Sequence, residues 1–446
     1  MDRSADASGG DAGRAGRREA GRTAVIGGGV AGLTAAHVLS RTRSVAVYEA
    51  DDRLGGHAHT HDLASSDGRV HRVDSGFIVH NHRTYPNLLR LFAELGVATQ
   101  ESEMSMSVRC EGCGLEYAGA RGPAGLFPRP GNALRGPYLR MLTEVPAFHR
   151  AARRLLAEGT EGVEGTEDGE DTLTLGEFLV RHRFSAYFTR HFMTPLVSAV
   201  WSCDAATARR YPAAYLFRFM DHHGMLSVGD SPVWRTVTGG SRSYVDRLAK
   251  QLDAVHTSAP VRAVRRHADG VDITTEDGTT ASYDSVVIAV HPDQALRLLA
   301  DPGEAEREVL GAFRYSRNAT LLHTDTTLLP RARGARASWN YLMPACDAGA
   351  DRVRVSYDMN RLQRLDAPET YVVTLGGGDR VDPARVLARM EYEHPVYTPE
   401  SVAAQRRLPA LNSHVTAYAG AYHGWGFHED GCRSGVEAAA ALGVTW

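Results

Sequence analysis

Three glycines near the start of the chain are spaced to bind a dinucleotide. Gly27, Gly29 and Gly32 form a G-x-G-x-x-G pattern directly after the apolar run Thr23–Ile26. In such a turn the first glycine permits a tight bend, the second lets the backbone approach a pyrophosphate, and the third lets a helix pack on a strand. The amides at the helix start carry partial positive charge, which favours phosphate. The predicted phosphate-binding residues are Gly27, Gly29, Val30, Ala31 and Gly32.

The next predicted strand, Ser44–Tyr48, ends at an acid. Glu49 stands where a carboxylate accepts hydrogen bonds from an adenosine ribose, and an acid rather than an arginine argues against a 2′-phosphate. A lone glycine pattern is weak, but here it has a strand, a helix, a second strand and a terminal acid around it. We therefore predict a dinucleotide site that includes Glu49 and Ala50.

A second glycine pair distinguishes flavin from nicotinamide. The segment from Arg53 to Thr60, RLGGHAHT, resembles the R-x-G-G-R-x-x-[ST] motif that follows the first nucleotide unit in the FAD-dependent amine oxidase superfamily. The resemblance implies FAD as the cofactor, with both glycines close to its diphosphate. His57 stands where the motif has its second arginine, so a titratable group replaces a permanent cation. The cofactor-binding residues implied here are Arg53, Gly55, Gly56 and His57.

The resemblance is strongest in the block that begins at Gly76, GFIVHNHRTYPNLLRLFAELGV. This block is similar to a bacterial family of FAD-dependent, amine-oxidase-like oxidoreductases, predicted NAD/FAD-binding proteins often encoded beside cyclopropane-fatty-acid synthases. The similarity runs from Thr23 to about Val444. His80 and His82 replace an aromatic residue and an acid of the family's block, and we predict that both lie near the substrate as candidate catalytic residues.

The end of the chain is expected to complete the cofactor site. A predicted strand, Val415–Ala419, precedes a glycine-rich turn and then a helix that continues to Ala441. A helix N-terminus stabilises negative charge, and in the amine-oxidase fold this helix start faces the isoalloxazine ring. The resemblance places His428 beside the flavin as a candidate catalytic residue. It also implies cofactor contacts at Val261 (to adenine, through the backbone), Gly420, Asp430 and Gly431.

The predicted fold class is α/β, with a Rossmann-like FAD-binding domain interleaved with an α+β substrate domain. Residues 1–22 are predicted to be a disordered tail. The FAD-binding domain comprises residues 23–100, 233–300 and 396–446, and the substrate domain comprises residues 101–232 and 301–395. Within the substrate domain, residues 158–171 are acidic and rich in glycine, which predicts a mobile surface loop. Val255–Val264 is predicted to be one strand.

Two groups of side chains raise the question of a metal. Cys110 and Cys113 form a C-x-x-C pair, but a structural zinc site needs four ligands and the sequence has no second such pair. We interpret the pair as a hairpin turn with two incidental thiols. His57, His59 and His61 alternate and would share one face of a strand. Since flavin binding already accounts for that segment, we predict no metal site.

Composition excludes several classes of protein. The chain has 446 residues, a net charge of −3 and 23% charged residues, which gives no support for a nucleic-acid or anionic-membrane partner. No apolar run approaches the roughly 20 residues that span a bilayer. The first 22 residues lack the apolar core of a signal peptide, and five cysteines without framework spacing fit a reducing compartment. We therefore expect a cytoplasmic protein.

Three functions remain open from the sequence. The first is an FAD-dependent oxidase or desaturase that transfers hydride from a hydrophobic, lipid-like or secondary-metabolite substrate to flavin N5, with molecular oxygen as the candidate electron acceptor. The second is an amine or amino-acid oxidase, although the lysine often found near the flavin in that class is hard to place because Lys250 is the only lysine. The third is an FAD-dependent double-bond isomerase without net redox. A non-enzymatic FAD-binding scaffold is a fourth alternative, which the sequence favours least.

Overall fold

The computed structural model describes residues 21–161, 173–227, 229, 231–346 and 353–446. Its strands are β1 (Arg22–Ile26), β2 (Ser44–Tyr48), β3 (Thr60–Ala64), β4 (Val70–Asp74), β5 (Val79–Asn81), β6 (Thr99–Glu101), β7 (Met106–Cys110), β8 (Glu116–Tyr117), β9 (Trp234–Val237), β10 (Ala254–His256), β11 (Val261–His267), β12 (Gly270–Thr275), β13 (Thr280–Tyr283), β14 (Ser285–Ile288), β15 (Arg314–His323), β16 (Trp339–Met343), β17 (Val355–Asp358), β18 (Val372–Leu375), β19 (Val386–Val396) and β20 (Thr416–Tyr418).

Its helices are α1 (Val30–Leu39), α2 (Pro86–Leu95), α3 (Gly122–Leu126), α4 (Gly136–Glu161), α5 (Leu175–Arg181), α6 (Ala186–Phe188), α7 (Thr194–Trp201), α8 (Ala205–Arg210), α9 (Ala213–His222), α10 (Arg242–Ala249), α11 (Pro292–Leu298), α12 (Glu304–Gly311), α13 (Met359–Leu362), α14 (Pro399–Gln405) and α15 (His428–Ala441). A π-helical segment, Thr189–Met193, joins α6 to α7. Within the described residues no helix is both long and apolar enough to cross a membrane.

A five-stranded parallel sheet in the order β10-β2-β1-β14-β20 carries the glycine turn at the end of β1. Apolar side chains cover both of its faces, which is why β1, β2 and β14 are almost wholly apolar in sequence. Helices α1 and α15 pack closely together on one side. A Cβ at Gly435 in α15 would lie 2.4 Å from the carbonyl oxygen of Ala31 in α1, so the close approach requires glycine.

A second, seven-stranded sheet has the order β19-β15-β18-β17-β16-β7-β8. Its strands come from two distant parts of the chain, because β7 and β8 precede the long helical region and β15–β19 follow α12. Helices α4, α5, α7 and α9 contribute to the large aromatic core that covers this sheet, with Phe148, Phe178 and Phe217 fully buried. The predicted α/β fold class, a nucleotide-binding sheet combined with a second α+β region, is confirmed.

Three predicted boundaries are wrong within the described residues. Arg22 belongs to β1, so the predicted tail of residues 1–22 includes part of the sheet; residues 1–20 lie outside the described part. Helix α4 continues to Glu161, which removes the start of the predicted acidic loop, and residues 162–171 lie outside the described part. The predicted strand Val255–Val264 is two strands, β10 and β11, in different sheets. The ladder of β10 ends at His256 and β11 begins at Val261; between them Ser258 has a φ of 50° and Pro260 lacks an amide donor, so the strand is interrupted.

Candidate active site

A cavity of about 990 Å³ runs from the end of β1 into the aromatic core of the second sheet. Gly27, Gly29 and Glu49 line its nucleotide end, and Val261 lies in the same wall. Of the cofactor-binding residues predicted from sequence, those that line the cavity are Gly27, Gly29, Val30, Ala31, Glu49, Ala50, Gly56, His57, Val261 and Gly420. They come from five separate stretches of the chain, three of which follow the ends of the parallel strands β1, β2 and β20.

The three glycines of the turn have different surroundings. Gly27 has a φ of 104°, and a Cβ there would lie 2.5 Å from the carbonyl oxygen of Ala289. A Cβ at Gly32 would lie 1.9 Å from the carbonyl oxygen of Gly27, so these two glycines are required by the protein itself. A Cβ at Gly29 would meet no protein atom within 4 Å. Gly29 therefore keeps space open in the cavity at the helix N-terminus, as a pyrophosphate requires.

The acid at the end of β2 is fixed by backbone amides. The Gly28 amide donates to Glu49 Oε2 at 2.6 Å, and the Asp51 amide donates to Oε1 at 2.9 Å. Both carboxylate oxygens retain lone pairs, and the side chain lies in the cavity wall beside the glycine turn. This position fits a ribose whose hydroxyls donate to the carboxylate.

The second glycine pair lies against the first turn. The Gly55 amide donates to the Gly28 carbonyl at 2.8 Å, and Gly29 and Gly55 form a parallel bridge. Gly55 has a φ of 108° and Gly56 a φ of 55°, so this crossing needs glycine at both positions. Arg53 does not line the cavity, and its guanidinium lies 3.4 Å from the Leu54 carbonyl. The prediction that Arg53 contacts the cofactor has no support from its position.

His57 lines the cavity in place of the second arginine of the motif. Burial, with His394 and His291 nearby, lowers its pKa well below the usual value, so the ring is neutral at physiological pH. Its Nε2 is buried and has no hydrogen-bond partner among the described residues. An unpartnered polar atom beside Gly56 in the cavity wall fits a hydrogen bond to a cofactor oxygen.

His428 is the first residue of α15 and lines the cavity. Its ring stacks on Phe77 with centroids 3.7 Å apart, and Nε2 lies 3.0 Å from the Tyr244 hydroxyl oxygen. Burial and then His80 lower the pKa of His428 to about 3, and burial raises the pKa of Tyr244 well above its usual value. Both groups are therefore neutral near pH 7, and the hydrogen bond between the Tyr244 hydroxyl and Nε2 fixes the orientation of the ring.

Asp430 and Gly431, predicted to contact the cofactor, do not line the cavity and instead help to position α15. Asp430 Oδ2 accepts a hydrogen bond from the Phe427 amide at 3.0 Å, which caps α15, and the side chain does not line the cavity. Gly431 also lies outside the wall. A Cβ there would lie 2.7 Å from Val30 Cγ1, so glycine lets α15 approach the glycine turn.

His80 and His82, predicted to lie near substrate, do not line the cavity. His80 is fully buried in β5, with both ring nitrogens unpartnered among the described residues and its ring 5.3 Å from that of Phe92. His82 is exposed in the following turn. Val79 lines the cavity, so its neighbour His80 points to the opposite face of β5, whereas His82 lies beyond the end of that strand. We retain neither as a catalytic candidate.

The far end of the cavity was not predicted in detail from sequence. Its wall is mainly aromatic and apolar, and it comes from α7, α9, β9, β16 and the loop before α15. The largest of these side chains are Trp201, Phe219, Trp234, Trp339, Trp425 and Phe427. The aromatic stripe on the helices was the available signal, but the same stripe is equally typical of core packing.

The metal prediction needs a correction at the C-x-x-C pair. His191 and Cys346 lie beside Cys110 and Cys113, and the four ligand atoms are all within 4.8 Å of one another. The sequence has no second C-x-x-C pair, but the fold brings these two further potential ligands from distant parts of the chain. The alternating histidines do not form such a group. His59 lies against Tyr392, whose hydroxyl is 3.0 Å from Nδ1, and His57 faces the cavity.

The buried histidines predict a loss of stability in acid. The pKa is lowered to about 4 in His80 and His394 and to about 3 in His428, mainly by burial. Below pH 6.5 the unfolded chain binds protons that the folded protein does not, so the free energy of unfolding falls with pH. Asp74 and Asp430, with pKa values raised to about 6, act in the opposite direction but are fewer. We expect the Tm to fall by roughly 5 to 10 °C between pH 7 and pH 5.

Scanning calorimetry of the FAD-loaded protein across this range checks the expectation. His80→Asn should reduce the pH dependence, because it removes a buried imidazole that stays neutral in the folded protein. A Tm that stays constant or rises as the pH falls to 5 would contradict the assignment of neutral buried histidines.

Comparisons with known proteins agree with the geometry of the cavity. The sequence model of the flavin containing amine oxidoreductase family matches residues 30–329. The chain is 24% identical over 287 residues to (S)-6-hydroxynicotine oxidase of Paenarthrobacter nicotinovorans, which covers 64% of this chain and 63% of that protein. It is 29% identical over 288 residues to carotenoid phi-ring synthase of Streptomyces griseus, covering 62% and 53%. These matches span less than two thirds of the length of either relative.

Two solved structures share the fold across nearly the whole chain. Putrescine oxidase bound to putrescine superposes with a TM-score of 0.67 at 16% identity, covering 94% of this chain and 98% of that one. The CLA-producing fatty acid isomerase from P. acnes superposes with a TM-score of 0.68 at 17% identity and the same coverage. The family match over residues 30–329 and the fit of the glycine turn, Glu49 and His57 to the cofactor lead to one conclusion. The chain belongs to the flavin-containing amine oxidoreductase family, and its cofactor is FAD.

Proposed function

We propose that this FAD-dependent oxidoreductase takes a hydride from a hydrophobic, lipid-like or secondary-metabolite substrate, as an oxidase or desaturase. The apolar end of the cavity carries the proposal. Leu196, Ala199, Val200 and Trp201 of α7 and Phe219 of α9 line it, and these helices contribute no carboxylate to the described wall. A substrate that fills such a wall is bound by burial of apolar surface, at about 25 cal/mol per Å².

The residues of this chain position the substrate and keep water out of the site. When bound, FAD accepts hydride at N5, so no obligatory catalytic side chain is needed. The aromatic walls exclude water from the reacting centre and orient an apolar substrate. Neutral His428, held by Phe77 and Tyr244, presents a fixed ring surface. These roles need no charged group in the substrate.

An amine or amino-acid oxidase is the first alternative, but the charged residues support it less than they support a hydrophobic substrate. Lys250, the only lysine, is exposed and does not line the cavity. Glu393 is an acid in the wall, but its carboxylate lies 3.0 Å from His291 Nδ1 and 3.4 Å from Arg317 Nε. A cationic amine would have to compete with these partners for the carboxylate. A double-bond isomerase without net redox is the second alternative.

Product analysis distinguishes the three functions. The FAD-loaded protein is mixed anaerobically with an unsaturated fatty acid, a polyene or a primary amine, and flavin absorbance is followed before the products are analysed by mass spectrometry. We expect bleaching with the apolar compounds and a product lighter by H₂. A product of unchanged mass with a moved double bond would indicate an isomerase. Bleaching by amines alone would indicate an amine oxidase, and oxygen consumption on readmission of air would identify the electron acceptor.

A charge placed in the apolar wall should separate the substrate classes. Val200→Asp puts a carboxylate among aromatic side chains, and burying an unpaired charge against an apolar ligand is costly. We expect kcat/KM for a hydrophobic substrate to fall at least about tenfold, equivalent to about 1.4 kcal/mol. FAD content should stay unchanged because the nucleotide turn is at the other end of the cavity.

The matched control is Val180→Asp, which adds the same charge at a side chain that is 78% exposed. It should leave kcat/KM unchanged. If Val200→Asp instead accelerates the oxidation of a cationic amine, the hydrophobic-substrate proposal fails and the amine oxidase is favoured.

A further inference from the structure

Four potential metal ligands converge at one end of the seven-stranded sheet. Cys110 ends β7 and Cys113 lies in the turn that follows it. Cys346 lies just beyond β16, which pairs in parallel with β7 so that Met343 is opposite Cys110. His191 comes from the π-helical segment between α6 and α7. Three separate parts of the chain thus meet at this point, away from the residues that line the FAD cavity.

Two distances between the ligand atoms match those of a tetrahedral zinc site, and all four atoms lie within 4.8 Å of one another. Zinc bonds of about 2.3 Å to sulfur and about 2.05 Å to nitrogen at tetrahedral angles place two sulfurs about 3.8 Å apart and sulfur and nitrogen about 3.6 Å apart. Cys110 Sγ and Cys346 Sγ are 3.6 Å apart, and Cys113 Sγ and His191 Nε2 are 3.7 Å apart. The sulfurs are too far apart for a disulfide, whose S–S bond is about 2.05 Å.

The surroundings of His191 prepare its ring for a metal. Nδ1 lies 3.3 Å from the backbone carbonyl oxygen of Tyr187, so Nδ1 carries the proton and Nε2 presents its lone pair to the cysteines. The Tyr187 ring stacks on the His191 ring with centroids 4.0 Å apart. The backbone of His191 is also fixed, since the Tyr117 hydroxyl donates to its carbonyl at 2.7 Å. A π-helical turn at this residue is typical of a functional site.

The charge of three thiolates is also compensated. Arg135 Nη1 donates to the Cys113 carbonyl at 2.6 Å and places a cation beside the cluster. Cys110 and His191 are buried, and Cys113 and Cys346 are half-buried, so the group is enclosed but reachable by an ion.

We propose that Cys110, Cys113, Cys346 and His191 bind a structural zinc ion that joins the edge of the seven-stranded sheet to the helix that carries the substrate wall. Binding releases the thiol protons to solvent and needs no oxidant or reductant. All four positions are filled by protein ligands, as in structural rather than catalytic zinc sites. The ion holds the segment that leads into α7, whose Leu196 and Val200 line the cavity.

Metal analysis of the wild-type protein is the first test. Untagged protein, purified under reducing conditions without chelator, should contain zinc equimolar with the chain by plasma mass spectrometry. Zinc-free protein loaded with Co²⁺ should develop the visible absorption of tetrahedral cobalt thiolate, at wavelengths beyond the flavin bands. Zinc removal should lower the Tm by roughly 5 °C or more without changing the FAD-to-protein ratio.

Substitutions locate the metal. Cys346→Ser and His191→Asn should each lose zinc, whereas Cys432→Ser, which alters a buried thiol outside the cluster, should retain it. If a variant fails to fold, the cobalt spectrum of the wild-type protein still tests whether the metal site exists. The proposal is overturned if wild-type protein offered Zn²⁺ retains none after gel filtration, if it carries iron instead, or if Cys110 and Cys346 form a disulfide under reducing conditions.

Discussion

Gly29→Val is expected to abolish FAD retention while leaving the protein folded. A Cβ at Gly29 meets no protein atom within 4 Å, and the backbone there has a φ of −75°, which valine adopts without strain. The branched side chain would occupy the space where the pyrophosphate approaches the amides of α1. We expect the affinity for FAD to fall by at least about a hundredfold, equivalent to about 2.8 kcal/mol of binding free energy, so that the purified variant retains little or no FAD.

The flavin-to-protein absorbance ratio and FAD released on denaturation measure this effect, and circular dichroism checks the fold. Gly131→Val is the matched control, because its Cβ also meets nothing within 4 Å but the residue is exposed and remote from the cavity. Gly32→Val is a contrasting variant. Its Cβ would lie 1.9 Å from a backbone oxygen, so it should unfold the turn itself. Retention of FAD by Gly29→Val would contradict the placement of the diphosphate.

The nucleotide end of the site was predictable because its information is local. The glycine turn, the strand before it and Glu49 lie within one βαβ unit, where each residue's role follows from backbone geometry at short sequence separation. The strands of the parallel sheet are apolar because both faces are covered, and this too is visible in sequence. The same reasoning fails for Arg53, whose motif position does not bring its side chain to the cavity.

The rest of the site depends on contacts that sequence spacing does not encode. Cys346 reaches Cys110 because β16 and β7 are parallel neighbours, and His191 arrives from a helical layer. An aromatic residue such as Trp339 lines the cavity only because of how the second sheet packs on α7. His80 does not line the cavity because its side chain points to the face of β5 that is turned away from it. Burial, not sequence, sets the charge of His428.

The last prediction concerns His428, which we propose shapes the cavity beside the flavin as a neutral wall residue. With a pKa of about 3 and Nε2 engaged by Tyr244, the ring does not act as an imidazolium or a strong base near neutral pH. His428→Ala removes the surface that stacks on Phe77 and should lower the rate of flavin reduction by substrate about tenfold or more through misplacement of the substrate. FAD content should remain unchanged.

His428→Phe distinguishes a wall from a proton-handling group. Phenylalanine keeps an aromatic face against Phe77 but leaves the buried Tyr244 hydroxyl without its hydrogen-bond partner, at a cost of about 1–3 kcal/mol in stability. The double variant with Tyr244→Phe removes that hydroxyl and should recover the stability. We expect the single and the double phenylalanine variant both to reduce flavin at close to the wild-type rate.

The pH profile is a second test. We expect no inflection from His428 in the wild-type rate between pH 5 and pH 8, since its pKa lies below that range. Loss of the reaction in both phenylalanine variants, with a wild-type inflection near pH 6.5 that they remove, would show that the imidazole handles a proton. Wild-type rates in His428→Ala would show that the residue has no role.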